Sequence, residues 1–376
     1  MVYVGGRPSQ RREWPPTVER NIRADAATPI IKPLPPEEFV DFASGEHGYN
    51  AETRWEALAE TGYLTPNDRF FIRSHAPTPR LDAASWRLHV DGPGVERPLE
   101  LAYDDLLRLR AVTVTRALEC AGNGRAFFAE RQGREAPGVP WRLGAVGVAE
   151  WTGAPLREIL ERAGVKASAH DVMAEGLDEV RMRRPLPVEK AMDDALLVYG
   201  MNGETLPPDH GFPVRLLVPG WAAVASVKWL GRLYVAEGPL YSPWNTEDYV
   251  LTGGRYGQSR VPLTSQGIKS AIELPWPARL ERGRHLVRGR SWSGAGAISR
   301  VEYEIGGGGW RSARIFGPNM PGAWARWSFA WDARPGRYEV RVRATDEAGN
   351  VQPDEVEWND LGYLYDGVVG HPVEVL

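Results

Sequence analysis

A single cysteine, Cys120, stands among 376 residues, so no intrachain disulfide can form and a structural zinc site built from several thiolates is excluded. No stretch approaches the roughly 18 consecutive apolar residues of a membrane-spanning helix, which argues against an integral membrane protein. Charge of one sign is not in excess either. With 45 Lys and Arg against 49 Asp and Glu the formal net charge is -4, and nothing recommends a nucleic-acid backbone as partner. Carboxylate clusters of the kind that hold calcium or magnesium are missing as well. Arg11-Arg12 is followed by Glu13-Trp14-Pro15-Pro16 rather than by an apolar run, so no secretory or twin-arginine leader is visible. The expected location is cytoplasmic, or periplasmic where a leader has been removed.

What is present describes an ordinary globular chain, 43% hydrophobic and 25% charged, too long for one core. Residues 1–40, rich in Arg, Pro and Ala and ending in Pro33-Leu34-Pro35-Pro36, predict an extended arm. Residues 41–262 predict a first domain of irregular α+β design, without the regular strand-helix alternation of a doubly wound sheet. Within it, residues 87–90 read as a strand, residues 104–109 and 156–163 as short amphipathic helices, and residues 241–266 as a polar, glycine-rich connector. From 263 to 376 the texture changes. Strand-like runs at 285–290, 298–305, 324–331 and 338–344, separated by turn residues, predict an all-β immunoglobulin-like sandwich. Gly306-Gly307-Gly308-Gly309 lacks the lysine and helix of a phosphate loop and reads as a hairpin turn.

Cys120 lies in Leu118-Glu119-Cys120-Ala121-Gly122-Asn123-Gly124-Arg125, directly after the alternating strand pattern of residues 112–116. Alone, a free cysteine is more often a small buried hydrophobe than a ligand. Its setting at a strand end, with two glycines that allow close backbone approach, favours a ligand or nucleophile. Other polar clusters accompany it. Phe70-Phe71-Ile72-Arg73-Ser74-His75 sets Arg73 and His75 two residues apart; His210-Gly211-Phe212-Pro213-Val214-Arg215 precedes Ser226-Val227-Lys228-Trp229; Tyr199 adds a phenol. Each alone is more often structural than functional. Together, two histidines, several cations, a thiol and a phenol suit a large anion held beside a soft metal.

Four motifs in order, residues 120–125, Ala149-Glu150-Trp151-Thr152-Gly153-Ala154-Pro155-Leu156, Tyr199-Gly200-Met201-Asn202-Gly203-Glu204 and residues 210–215, resemble the molybdenum-cofactor domain of the sulfite oxidase family. The resemblance runs through Val227-Lys228-Trp229-Leu230 into Trp292-Ser293-Gly294 and Asn350-Val351-Gln352-Pro353-Asp354, similar to that family's immunoglobulin-like dimerisation domain. It implies the sulfite oxidase fold, and Cys120 as the thiolate ligand of the molybdenum of a Mo-molybdopterin cofactor. It implies that Phe71, Ile72, Arg73, Ser74, His75, Asp178, His210, Arg215, Ser226, Val227 and Lys228 grip the pterin and its phosphate, and that Tyr199, Arg73 and Arg125 face the substrate. The implied reaction oxidises sulfite to sulfate by oxygen-atom transfer, with electrons leaving to an external acceptor such as a cytochrome, since nothing in the chain resembles a haem domain. A homodimer is implied as well.

Two departures from the family pattern bear on the substrate pocket. Gly124 stands where an arginine is usual, and Met320-Pro321-Gly322-Ala323 stands where another is expected, with Arg326 as its substitute. The alternatives are a reductase acting on nitrate or an S-oxide with the same cofactor, a non-enzymatic binding module, and a thiol hydrolase built on Cys120 with His75 or His210 as base.

Overall fold

In the computed structural model, residues 34–42 and 49–376 are described. Most of the arm expected over 1–40 lies outside them. Its end is not an extended arm: Phe39–Asp41 is a strand paired antiparallel with Asn50–Thr53, and the buried Phe39 anchors it.

Two five-stranded sheets dominate the first domain. In one, β1 (Val112–Glu119) pairs with β2 (Val146–Pro155), β2 with β3 (Leu196–Met201), and β3 also with Glu204–Thr205 and with β4 (Arg215–Leu217), all antiparallel. The other runs Leu99–Ala102, Arg87–Asp91, Leu230–Ala236, Asp171–Gly176, Arg183–Pro187, with one parallel pair in its middle. Alternation along β3 explains how the two share a core. Leu197 and Tyr199 point into the apolar layer between the sheets, whereas Leu196 and Val198 point to the layer holding Phe70, Leu118 and Trp151. The helices are short, Tyr103–Leu107 and Leu156–Arg162 among them, close to the expected spans. The second ends at Gly164, whose φ of +68° suits a left-handed stop.

Four strands, β5 (Lys269–Ile272), β6 (Gly283–Trp292), β7 (Arg314–Asn319) and β8 (Trp324–Ala333), build one sheet of the second domain in the order β5-β6-β8-β7. A five-stranded sheet containing Ile298–Ile305 and Gly336–Asp346 packs against it, giving the expected sandwich around Val287, Trp327, Phe329 and Val342. Gly306 to Gly309 turn the chain between Ile298–Ile305 and its antiparallel partner Arg311–Ser312, as a hairpin requires.

The domains are not beads on a connector. Ala117, Phe127 and Leu143 of the first share one apolar cluster with Ala271, Trp292 and Trp324 of the second, and Trp55 stacks on Trp292 at 5.8 Å. Nor is 241–266 a loose polar link. Tyr249, Leu251 and Leu263 are buried in a cluster with Ala121 and Tyr363, because aromatic and aliphatic side chains spaced among the glycines find one wall to cover. Among the described residues no helix is long and apolar enough to cross a membrane.

Candidate functional site

Where β1 ends, the pleat sends Leu118 and Cys120 to one face and Glu119 to the other. Leu118 and Cys120 look into a cavity at the junction of the two large sheets. The Cys120 amide donates to the Ala145 carbonyl at 2.9 Å, and its own carbonyl accepts from the Asn123 amide at 2.9 Å, so the thiol sits at the top of a closed turn. It is 7% exposed and belongs to an apolar cluster with Phe70, Phe71 and Trp151. It is thus both packed and presented.

Cations line the same cavity. Arg215, on β4, donates through its two terminal nitrogens to the His210 and Ser226 carbonyls, both at 2.9 Å, while its Nε is buried with no hydrogen-bond partner. Burial pulls its guanidinium down to about 9, which leaves it charged at neutral pH. Lys228 donates to Ser74 Oγ at 2.6 Å and to the Asp209 carbonyl at 2.9 Å, and its ammonium lies over the Trp229 ring at 4.1 Å. Trp229 holds φ at +52°, an unusual backbone for a bulky residue, fixed by its Nε1 donating to the Pro208 carbonyl at 2.8 Å. That turn aims Lys228 at the cavity. Gly211, at φ +112°, allows the packing, since a Cβ there would sit 3.1 Å from that of Lys228. Arg73 completes the set, bonded to Asn50 Oδ1 at 3.0 Å and to the Ser74 carbonyl.

Desolvation, helped by the nearby Arg215, lowers Lys228 from its ordinary 10.5 to about 7. Because the folded-state value is depressed, the unfolded chain binds the extra proton between about 7 and 10.5, and this group adds stability as pH rises through that window. Anion binding runs the other way, since the charged form is present below about 7. The affinity of the metal-free protein for inorganic sulfate, an anion that does not itself titrate here, should fall roughly tenfold from about pH 6 to about pH 9, the worth of one charge-assisted hydrogen bond. Calorimetric titration of Lys228→Met should show a flatter profile; an equally steep one would assign the effect elsewhere.

Beside the thiol, Tyr249 lines the cavity and shares a 2.9 Å hydrogen bond with His75 Nε2. Burial holds His75 down to about 2, helped by Arg73 and Lys228, so the imidazole is neutral. Burial likewise raises the Tyr249 phenol, with Arg73 opposing the rise, Cys120 adding to it and Arg125 opposing it. Tyr249 therefore lies within electrostatic reach of all three. Its ring stacks on Tyr363 at 5.3 Å.

Of the residues expected at the site, Cys120, Phe71, Arg73, Ser74, His75, Asp178, His210, Arg215, Ser226, Val227 and Lys228 line this cavity. Ile72 does not; its side chain is buried beside it on the strand Ile72–Arg73. Tyr199 is a correction. It lies in the layer between the sheets, its ring edge-on to Tyr103 at 6.5 Å, and burial is what raises its phenol. The period of β3 turns it away. Arg125 stands one layer back, donating to the Leu361 and Val139 carbonyls and lying over the Tyr363 ring at 5.0 Å. Arg326 does not line the cavity either, since it sits with Arg288 and Arg314 in a separate recess that residues 59–61 of the first domain help to line. Gly124 costs the cavity no cation. Its φ is +96°, and a Cβ there would meet Tyr365 at 2.9 Å, so position 124 faces the second domain. Sequence reasoning missed Tyr249, hidden in the segment read as a connector, and Asp209, the neighbour of His210.

The lining suits a large anionic group with a soft metal. One thiol shares the lining with an incompletely bonded buried guanidinium and a desolvated ammonium. Among the described residues no three His, Cys, Asp or Glu side chains converge on one point, so a metal at Cys120 needs further donors from a cofactor.

Comparisons with known proteins agree with this lining. Residues 75–244 match the oxidoreductase molybdopterin binding domain and residues 263–368 the Mo-co oxidoreductase dimerisation domain. The chain is 38% identical over 348 residues to the mitochondrial sulfite oxidase of Mus musculus, covering 85% of this chain but 63% of that protein. It therefore spans less than two thirds of that relative's length. Against sulfite oxidase of Gallus gallus it is 38% identical over 344 residues, 84% of this chain and 74% of that protein. Among solved structures, the sulfane dehydrogenase SoxCD from Paracoccus pantotrophus superposes with a TM-score of 0.80 at 32% identity, covering 88% of this chain and 87% of that one. With both domain matches in order and the cavity built at the first of them, the chain belongs to the sulfite oxidase family of molybdopterin-dependent oxidoreductases.

Proposed function

We propose that the protein oxidises sulfite to sulfate, with Cys120 as the protein ligand to molybdenum, and that it passes the electrons to an external acceptor such as a small cytochrome. The observation that carries this reading is the sharing of one cavity by the thiol, the Tyr249–His75 pair and the cations Arg73, Arg215 and Lys228. When bound, the cofactor supplies a redox metal that exchanges an oxygen atom with the substrate.

Each part then has a chemical task. Arg215 and Lys228 would neutralise the cofactor phosphate, with Ser74, Ser226 and the backbone around Val227 completing the cradle. Asp178 and His210, which line the same cavity, would help hold the pterin. Arg73 attracts the oxyanion and, with Tyr249 as a hydroxyl donor, orients it beside the sulfur of Cys120. His75, neutral, fixes the phenol by hydrogen bonding and leaves the local charge to the arginines. Arg125 acts from behind, holding Tyr363 and through it the face of Tyr249. The protein works as a homodimer through the second domain, in line with the family match of residues 263–368.

Steady-state turnover of the molybdenum-loaded protein on sulfite, nitrate, methionine sulfoxide and a sulfane-sulfur compound tests the substrate. Sulfite is expected to give the highest kcat/KM with an artificial electron acceptor. Turnover of any other compound without turnover of sulfite contradicts the proposal.

A further inference from the structure

Behind the thiol lies a buried ion pair that the cavity does not use. Glu119, on the opposite face of the β1 pleat from Cys120, accepts from Lys269 Nζ at 2.7 Å, with side-chain exposures of 3% and 1%. Lys269 belongs to β5 of the second domain, so the pair crosses the domain boundary. Asn123 joins the two. Its Nδ2 donates to Glu119 Oε1 at 2.9 Å, its carbonyl accepts from Lys269 Nζ at 2.6 Å, and its Oδ1 accepts from the Ala145 amide at 3.0 Å. Ala145 is also the residue whose carbonyl receives the Cys120 amide. The loop from 120 to 123 is thus tied at both ends to one buried charge network, and Asp366 lies near enough to feel both charges.

Burying an ion pair costs desolvation that the pair's own attraction does little more than offset, so such a pair is weak evidence of stabilisation and better suited to fixing one arrangement. We infer that Lys269 is a positioning residue. Through Asn123 and Glu119 the second domain holds the turn that presents the Cys120 thiol and keeps the charge behind that sulfur balanced. The electronic half of this inference rests on Cys120 being the molybdenum ligand; the positional half does not.

Because Cys120 is the sole cysteine, its labelling reports the turn directly. In metal-free full-length protein, Lys269→Met and Glu119→Gln should each raise the rate of reaction of Cys120 with a disulfide reagent at least tenfold, with an unchanged circular dichroism spectrum below the unfolding transition. Glu119→Gln is nearly isosteric and serves where Lys269→Met fails to fold. Unchanged labelling in a folded variant overturns the inference.

In molybdenum-loaded protein, the midpoint potential followed by electron paramagnetic resonance should move in opposite directions. It should become more negative in Lys269→Met, where a carboxylate is left uncompensated, and more positive in Glu119→Gln, where an ammonium is. The double variant should return toward the parent. Shifts of the same sign, or none, overturn the charge-balancing role, since a purely structural pair has no reason to produce opposite signs. Parent protein that takes up no molybdenum is a separate result, and it counts against the assignment of Cys120.

Discussion

Replacing Cys120 with serine is expected to leave a folded protein whose sulfite turnover falls by more than the roughly 100-fold that follows loss of an outer-shell partner of a metal ligand. The side chain is 7% exposed in an apolar cluster, and serine preserves its volume closely, so the fold has little reason to change. The hydroxyl differs in what it offers a metal. It is a hard, weakly acidic donor where the thiolate is soft and readily formed. Cys120 is the one thiol in the chain, and its turn is closed by its own carbonyl and amide hydrogen bonds, so no other sulfur stands ready to replace it. Kinetics on folded variant protein, with circular dichroism and the urea midpoint as controls, check the outcome. Activity within a few-fold of the parent would remove Cys120 from the ligand role.

Two tyrosines provide the second large effect. Tyr249→Phe is expected to lower kcat/KM for sulfite by on the order of 100-fold, about 2.7 kcal/mol, as removal of one preorganised donor does. Tyr199→Phe should stay within about twofold of the parent. The contrast follows from position. Tyr249 lines the cavity, bonds His75 and feels Arg73 and Cys120, whereas Tyr199 packs between the sheets against Tyr103. Parallel kinetics of the two variants decide it, and the reverse order of effects would restore Tyr199 to the substrate and leave Tyr249 as a wall.

The contrast also marks what the amino-acid sequence discloses. Local signals were legible. The alternation of residues 112–116 lies on β1, which ends at the Cys120 turn, and the four strand-like runs of the second domain are strands. Most of the cavity lining was reached only through the resemblance of the four motifs to the sulfite oxidase family, since each polar cluster read alone is more often structural. Facing was harder. Tyr199 sits in a motif, yet a strand shows successive side chains to opposite layers, and only the paired sheets fix which layer is the site. Tyr249 escaped notice because its neighbours are polar and glycine-rich. Its burial comes from Tyr363, more than a hundred residues further along. The same holds for Gly124, where the absence of a side chain answers to Tyr365 of the second domain rather than to the cavity. Long-range partners of this kind leave no local period to read.

Molybdenum bound per chain, combined with X-ray absorption at the metal, tests the central claim most directly. The account predicts stoichiometric metal in the parent protein from a cofactor-competent host, and one fewer sulfur neighbour in Cys120→Ser. Metal-free parent protein, or an unchanged sulfur count in the variant, would contradict it.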